Sequence, residues 1–158
     1  MAEKYTTLSD TLGASEGRGF ITRSGKNRQL FELSKIEARV ELKVTERRLL
    51  GHRMTQHKVT GATGTGSATF YFMNSEAYKE FLEYKNSGVY KGVTLQLTNE
   101  DPQSTIGRQS VCLFNTIIKN VPVAYLDDNS DDPITFDSDF TFDDCDCLEA
   151  FRLPENFR

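Results

Sequence analysis

From Ile36 to Val44 every second residue is apolar and every residue between is charged. Ile36, Ala38, Val40, Leu42 and Val44 fall on one side of an extended chain, and Glu37, Arg39, Glu41 and Lys43 on the other. A helix would scatter that pattern around its circumference, whereas a strand separates it into two faces. The stretch therefore reads as a strand of an antiparallel sheet with one face in the subunit's own core and one in water.

The same period recurs along the chain. Gly19–Arg23 and Gln29–Leu33 flank Ser24-Gly25-Lys26-Asn27, a strand, a glycine-containing turn and a return strand. Gly66 to Met73 reads as a strand with Ala68, Phe70 and Phe72 on one face. Val93, Leu95 and Leu97 mark another, followed by a loop over 99–107 and a strand over Gln109–Ile118. A short strand is expected over Val121–Leu126, then an Asp-rich loop ending at Pro133. In the last strand Ile134, Phe136, Phe140 and Phe142 alternate with Asp137 and Asp139 among other polar residues. One helix interrupts the strands. Asn74 or Ser75 can cap it, Tyr78, Phe81 and Leu82 form its apolar stripe, Lys85 lies in its last turn and Gly88 ends it. The fold class is mostly β and antiparallel with a single helix. Cys145–Arg158 lack clear periodicity and read as a tail.

The chain of 158 residues is about one domain's worth. Its net charge of −4 hides a polarity: residues 121–158 hold 11 acids and 2 bases, residues 1–120 hold 12 acids and 17 bases. A plain nucleic-acid binder would be basic overall or carry a dense basic stripe. Opposed charge at two ends suits a subunit that meets copies of itself, although a solvated acidic end reads equally well from charge alone. No apolar run is long enough to span a membrane, and the first 17 residues lack a signal-peptide core.

Sites that invite chemistry do not hold up. His52 and His57 share one polar stretch, and zinc there would need Cys112, Cys145 or Cys147 brought in by folding. Cys145-Asp-Cys147 has one intervening residue, not the two of a redox motif, and its acidic neighbours disfavour a thiolate. Asp127–Asp132 lacks the glycine and the final glutamate of a calcium loop. Gly61, Gly64 and Gly66 precede a strand, not a helix, so they form no phosphate cradle, and they read as positions of positive φ or close backbone approach. The expectation is no catalytic, metal or cofactor site, and no enzymatic activity.

The remaining feature is the glycine-punctuated polar run from Gly51 to Tyr71. It is read as a long loop over Arg47–Thr65 that enters a strand at Gly66, and loops of that length are usually functional or disordered. Met54, Thr55, His57, Lys58, Thr60 and Gly61, then Gly64-Thr65-Gly66 and Ala68-Thr69-Phe70-Tyr71, resemble a motif of the tail tube proteins of contractile-tailed phages and PBSX-like defective prophage particles. The likeness extends over roughly 17–143, through Gly17–Ile21, Ile36–Glu41, Val111-x-Leu113-Phe114 and Pro133–Phe136.

That resemblance implies a tail-tube-like fold: an antiparallel β-barrel or sandwich with one flanking α-helix, spanning 17–143 between a flexible arm (1–16) and a C-terminal tail (144–158). It implies a structural subunit that forms hexameric rings stacked into the inner tube of a contractile tail. DNA would pass through without specific binding, and sheath, tape-measure and baseplate proteins would be partners in a virion tail assembled in the host cytoplasm. The expected inter-ring contact is the loop carrying Arg47, Arg48, Arg53, Met54, Thr55, His57 and Lys58, with an acidic partner surface of Asp127, Asp128, Asp131 and Asp132. Glu37, Glu41, Asp137 and Asp139 are candidates for the lumen face, where carboxylates would repel a phosphate backbone. Two alternatives remain open: the tube of a tail-like bacteriocin or injection system, and a monomeric ligand-binding β-barrel, which would need an apolar interior cavity.

Overall fold

The computed structural model describes residues 3–158. Eight strands form one antiparallel sheet: β1 (Gly17–Arg23), β2 (Lys26–Gln29), β3 (Leu33–Arg47), β4 (Gln56–Tyr71), β5 (Val93–Glu100), β6 (Arg108–Ile118), β7 (Thr135–Phe142) and β8 (Asp144–Glu149). The helix α1 (Glu76–Ser87) lies between β4 and β5. The sheet runs β2-β1-β5-β6-β7-β4-β3, with β8 added to β6. Among the described residues no ladder joins β2 to β3, so the sheet is open and folds over as a sandwich.

The core fills the fold of that sheet. Ile21, Val93, Leu95 and Leu113 from one half meet Ala68, Phe140 and Phe142 from the other, with Leu30 beside them. The alternation of β7 is realised: Phe140 and Phe142 are buried and Asp137 and Asp139 exposed. Opposite those rings stand the glycines of the Gly-Thr-Gly triplet. Gly64 is paired with Phe142 and Gly66 with Phe140. A Cβ on Gly64 would lie 2.3 Å from the Phe142 ring, and one on Gly66 would lie 2.3 Å from Phe140 and 2.4 Å from the Glu37 carbonyl. These glycines serve close approach and not positive φ.

The β1–β2 hairpin turns through Ser24 (φ 49°) and Gly25 (φ 79°), the two left-handed residues that a tight turn of this kind needs. Helix α1 begins after Ser75, but the side chain that accepts from its first turn is Asn74, whose Oδ1 receives the Glu76 N–H at 3.3 Å. It ends at Gly88 (φ 76°), whose N–H donates to the Tyr84 carbonyl at 2.7 Å. No residue of α1 is fully buried. Ion pairs tie it down: Arg28 binds Glu32 at 2.9 Å and Glu76 at 2.8 Å, and Arg23 binds Glu80 at 3.0 Å. The Arg28 guanidinium pulls the Glu76 carboxyl below the ordinary carboxylate value. The Glu32 carboxyl is also lowered, because hydrogen bonds led by Arg28 outweigh the burial that opposes them.

Four expectations need correction. The stretch expected as a loop over Arg47–Thr65 is mostly ladder: Arg47 ends β3, and β4 starts at Gln56, ten residues before Gly66. The apolar face of β3 is not buried in the subunit beyond Ile36, since Val40, Leu42 and Val44 are 48%, 57% and 48% exposed. Val121–Leu126 forms no strand; no ladder runs along it among the described residues. Asp144–Glu149, expected as tail, is β8, its Cys145 beside Leu113 and Cys147 beside Val111.

The described part of the expected arm is fastened to the β5–β6 loop, with residues 1 and 2 outside the described residues. Thr105 Oγ1 donates to the buried Asp10 at 2.6 Å, and the Gly13 N–H donates to Asp101 at 2.9 Å. The hydrogen bonds from Thr105 and Thr7 hold the Asp10 carboxyl below its ordinary value.

Candidate assembly surface

β3 and β4 form one long hairpin paired from Leu33/Phe70 to Arg47/Gln56. β7 accompanies β4 only as far as Gly64/Phe142. Beyond that level the two strands continue as a free ribbon for eight residues of β4, roughly 25 Å at about 3.3 Å per residue. A two-stranded ribbon alone is marginal in water. Here its residues are exposed on both faces.

The ribbon's faces are chemically distinct. Register puts Val40 opposite Gly64, Leu42 opposite Ala62 and Val44 opposite Val59. The register slips between Lys43 and Val44. That irregularity moves Val59, which simple alternation would turn to the other side, onto the apolar face. Thr60 is taken up there, its Oγ1 lying 3.2 Å from Thr45 Oγ1. Val59 is 54% exposed, so the stripe is apolar and uncovered. Such a patch marks a surface to be buried elsewhere.

At the tip, residues 48–55 turn through Gly51 (φ 85°), with the His52 N–H donating to the Leu49 carbonyl at 3.1 Å. Leu50 and Met54 are essentially free in solvent. Arg47, Arg48, Arg53, Thr55 and Lys58 cluster on or beside this turn, all exposed. Among the described residues none of the four cations there forms an ion pair, whereas His57 faces Glu46 at 3.4 Å.

The acidic set lies at the opposite end. Asp127, Asp128, Asp131 and Asp132 lead into β7 at Thr135, which pairs with Tyr71 at the base of β4. The basic tip begins at Gln56, so about 50 Å of strand separates the two sets. They are not brought together within a subunit. Asn129 N–H donates to Asp127 at 3.0 Å and Asp132 N–H to Ser130 at 3.3 Å, which orders the acidic turns locally.

Glu37, Glu41, Asp137 and Asp139 share one face of the sheet. Glu37 is opposite Ser67, which is opposite Asp139; Glu41 is opposite Thr63; and Asp137 is opposite Thr69, whose hydroxyl donates to it at 2.7 Å. This face is the reverse of the one that holds the core. Arg39, paired to Glu37 at 2.6 Å, lies on it too, with Lys35 and Lys43, so the face carries mixed charge with four carboxylates and three cations.

Among the described residues no three His, Cys, Asp or Glu side chains come together as a metal site, and His52 and His57 remain at the tip away from the cysteines. Burial, with the Asp146 charge, raises the Cys112 thiol above its ordinary value. The apolar pocket beneath α1, lined by Ile21, Leu30, Phe70, Phe72, Leu95 and Phe136, measures about 40 Å³. A small-molecule site commonly needs about 300 Å³ or more. The ion-pair set Arg23–Arg28–Glu32–Glu76–Glu80 carries no sequence signal, because its members are scattered over β1, β2, the turn before β3 and α1 with no spacing to link them.

Comparison with known proteins converges on one family. Residues 4–149 match the family model described as phage tail tube protein. The PBSX phage-like element protein XkdM of Bacillus subtilis (strain 168) is 34% identical over 148 residues, covering 94% of this chain and 96% of that protein. The fold is similar to a chain in the sheath–tube complex of an extracellular contractile injection system in its extended state (TM-score 0.64, 10% identity, 92% of this chain and 99% of that one). It is also similar to a chain in the sheath/tube terminator of such a system (TM-score 0.66, 8% identity, 90% and 100%).

Proposed function

The chain belongs to the phage tail tube protein family, and from that premise we propose that it is a structural subunit that polymerises as stacked, hexameric rings into the inner tube of a contractile tail or tail-like particle. The observation that carries this reading is the β3–β4 hairpin: an uncovered apolar stripe ending in an unpaired basic tip, with the acidic turns at the far end of the same strands. A contact between unlike ends of one molecule is heterologous and repeats without closing, which builds a filament. The tip of each subunit meets the Asp127–Asp132 turns of a subunit in the next ring, and opposite potentials set the polarity of stacking.

The carboxylate face of Glu37, Glu41, Asp137 and Asp139 lines the lumen, where it repels a phosphate backbone and lets DNA pass. Sheath, baseplate and tape-measure proteins are the partners of such a tube, and the virion tail, assembled in the host cytoplasm, is its place. The apolar pocket of about 40 Å³ speaks against the monomeric ligand-binding barrel, and the larger space of about 460 Å³ is a cleft among the acidic turns from Tyr125 to Thr135, not an apolar interior. The stacking contact is tested by reversing charge. Arg53→Glu with Lys58→Glu leaves a folded subunit that does not polymerise, and adding copies bearing Asp131→Lys with Asp132→Lys restores mixed assemblies. Normal polymerisation of the first variant alone contradicts the contact.

A further inference from the structure

Helix α1 is joined to the rest of the subunit differently from any strand. No backbone hydrogen bond runs from residues 74–91 to a strand among the described residues; those in this stretch are internal to it, from the Lys79 N–H to the Ser75 carbonyl and from the Gly88 N–H to the Tyr84 carbonyl. The side-chain ties from α1 to the strands are ionic and come from two carboxylates. Glu76 accepts from Arg28 Nη2 at 2.8 Å and Nε at 3.3 Å and faces Arg23 at 3.4 Å, while Glu80 faces Arg23 at 3.0 Å. Arg23 Nε and Nη1 form no aligned hydrogen bond among the described residues, so Arg23 attracts by charge alone. Burial disfavours the charged form of Glu80, which leaves Glu76 as the main fastening. Apolar packing is thin. Ala77, Tyr78 and Leu82 are half-buried, and every residue from Glu83 to Val89 is exposed. Ala77 and Tyr78 face Ile21, Leu30 and Leu95 across the pocket of about 40 Å³, where facing atoms forfeit contact.

The chain on either side of the helix is fixed. The Phe72 N–H donates to the Ile134 carbonyl at 2.9 Å, and Gly92 lies so close to Asn115 that a Cβ there would collide with it. Between those points Asn74-Ser75 and Gly88 (φ 76°) are short non-helical joints. The sheet also keeps its own buried pair without the helix, because Arg28 holds Glu32 at 2.9 Å through contacts in which α1 has no part. We infer that α1 is a hinged flap held by an ionic latch, Glu76 on Arg28 and Arg23, and that it opens as a unit while the sheet stays folded. Glu76 is 43% exposed, so dissolved salt reaches the latch and sets how often it opens. Open, the flap uncovers the pocket wall of Phe70, Phe72 and Phe136. The flap belongs to the single subunit and does not depend on polymerisation.

Hydrogen exchange in the folded subunit tests this. The amides of Glu80–Ser87, bonded within the helix, exchange through a local opening, well before those of β5, which is paired on both sides. Sodium chloride at about 1 M, where the screening length falls to about 3 Å, speeds the helix amides and leaves those of β5 unchanged. Glu76→Gln speeds the helix amides by about fivefold and removes most of the salt response. Glu76→Asp separates the latch from the helix dipole. It keeps a negative charge in the first turn but is too short to hold Arg28, so it behaves as Glu76→Gln does. An Asp variant that keeps the parent's rate and salt response overturns the latch. Helix amides that exchange only together with those of β5, in the parent or in either variant, overturn the flap.

Discussion

Gly66→Ala is expected to destabilise the subunit, although the same exchange in an ordinary strand is favourable by roughly 0.5–1 kcal/mol. The added methyl would lie 2.3 Å from the Phe140 ring and 2.4 Å from the Glu37 carbonyl oxygen. Phe140 is 2% exposed and at the centre of the core, and the carbonyl belongs to the paired β3 ladder, so neither can yield cheaply. Overpacking of this kind costs about 1–3 kcal/mol. In a chain of this size each kcal/mol moves the melting temperature by roughly 2–4 °C, so Tm should fall by about 2–12 °C. Gly61→Ala is the control: it lies on the same strand in the free ribbon, where the nearest atom to an added Cβ is 4.0 Å away. That variant should match the parent or gain slightly. Combining Gly66→Ala with Phe140→Leu should cost less than the sum of the two, because both act on one space. Thermal and urea unfolding measure the parent, Gly66→Ala, Gly61→Ala, Phe140→Leu and the double variant. Equal stability of Gly66→Ala and Gly61→Ala would refute the reasoning.

Arg28→Gln leaves the Glu32 carboxylate, 7% exposed, without its partner and should cost about 3 kcal/mol by urea unfolding. The carboxyls of Glu32 and Glu76 are lowered from 4.5, so their contribution is present above that value and is lost as pH falls through their folded values. Burial raises Glu80 instead, so its protonation in the same descent works in the opposite sense and offsets part of that loss. Stability should therefore decline below about pH 4.5. In Arg28→Gln the decline should be shallower; an unchanged pH profile there contradicts the assigned cause. Replacing Val40, Leu42 and Val44 together by Thr should alter subunit stability by only about 0.5 kcal/mol each, as for exposed sites, while assembly measured by light scattering is lost. A large fall in Tm would mean that the stripe is core after all.

Much of the architecture is legible in residue order, where local chemistry decides it. Ser24-Gly25 specifies a tight turn, Gly88 a left-handed helix end, and the Phe/Asp alternation of β7 its inward and outward faces. The long hairpin leaves no strand signal because β4 is rich in glycine and threonine: Gly64 and Gly66 are gaps for the Phe142 and Phe140 rings of β7, so no apolar period appears. The Cys/Asp alternation of β8 was a usable signal that went unread. In β3 the pattern announced an apolar face but could not say which molecule covers it. Val121–Leu126 poses the same question in backbone form, a strand pattern with no ladder among the described residues. The candidate surfaces were legible as charges and their sharing of a face was not, since that depends on the register of β3, β4 and β7.

The central claim is that this subunit is built to polymerise through unlike ends. Negative-stain microscopy of the purified protein over a range of concentrations, with light scattering on the same samples, addresses it most directly. Scattering that rises with concentration, together with rings and hollow tubes of constant width, is the predicted result. A subunit that stays monomeric throughout, even when supplied with preformed tube ends as seeds, would contradict it.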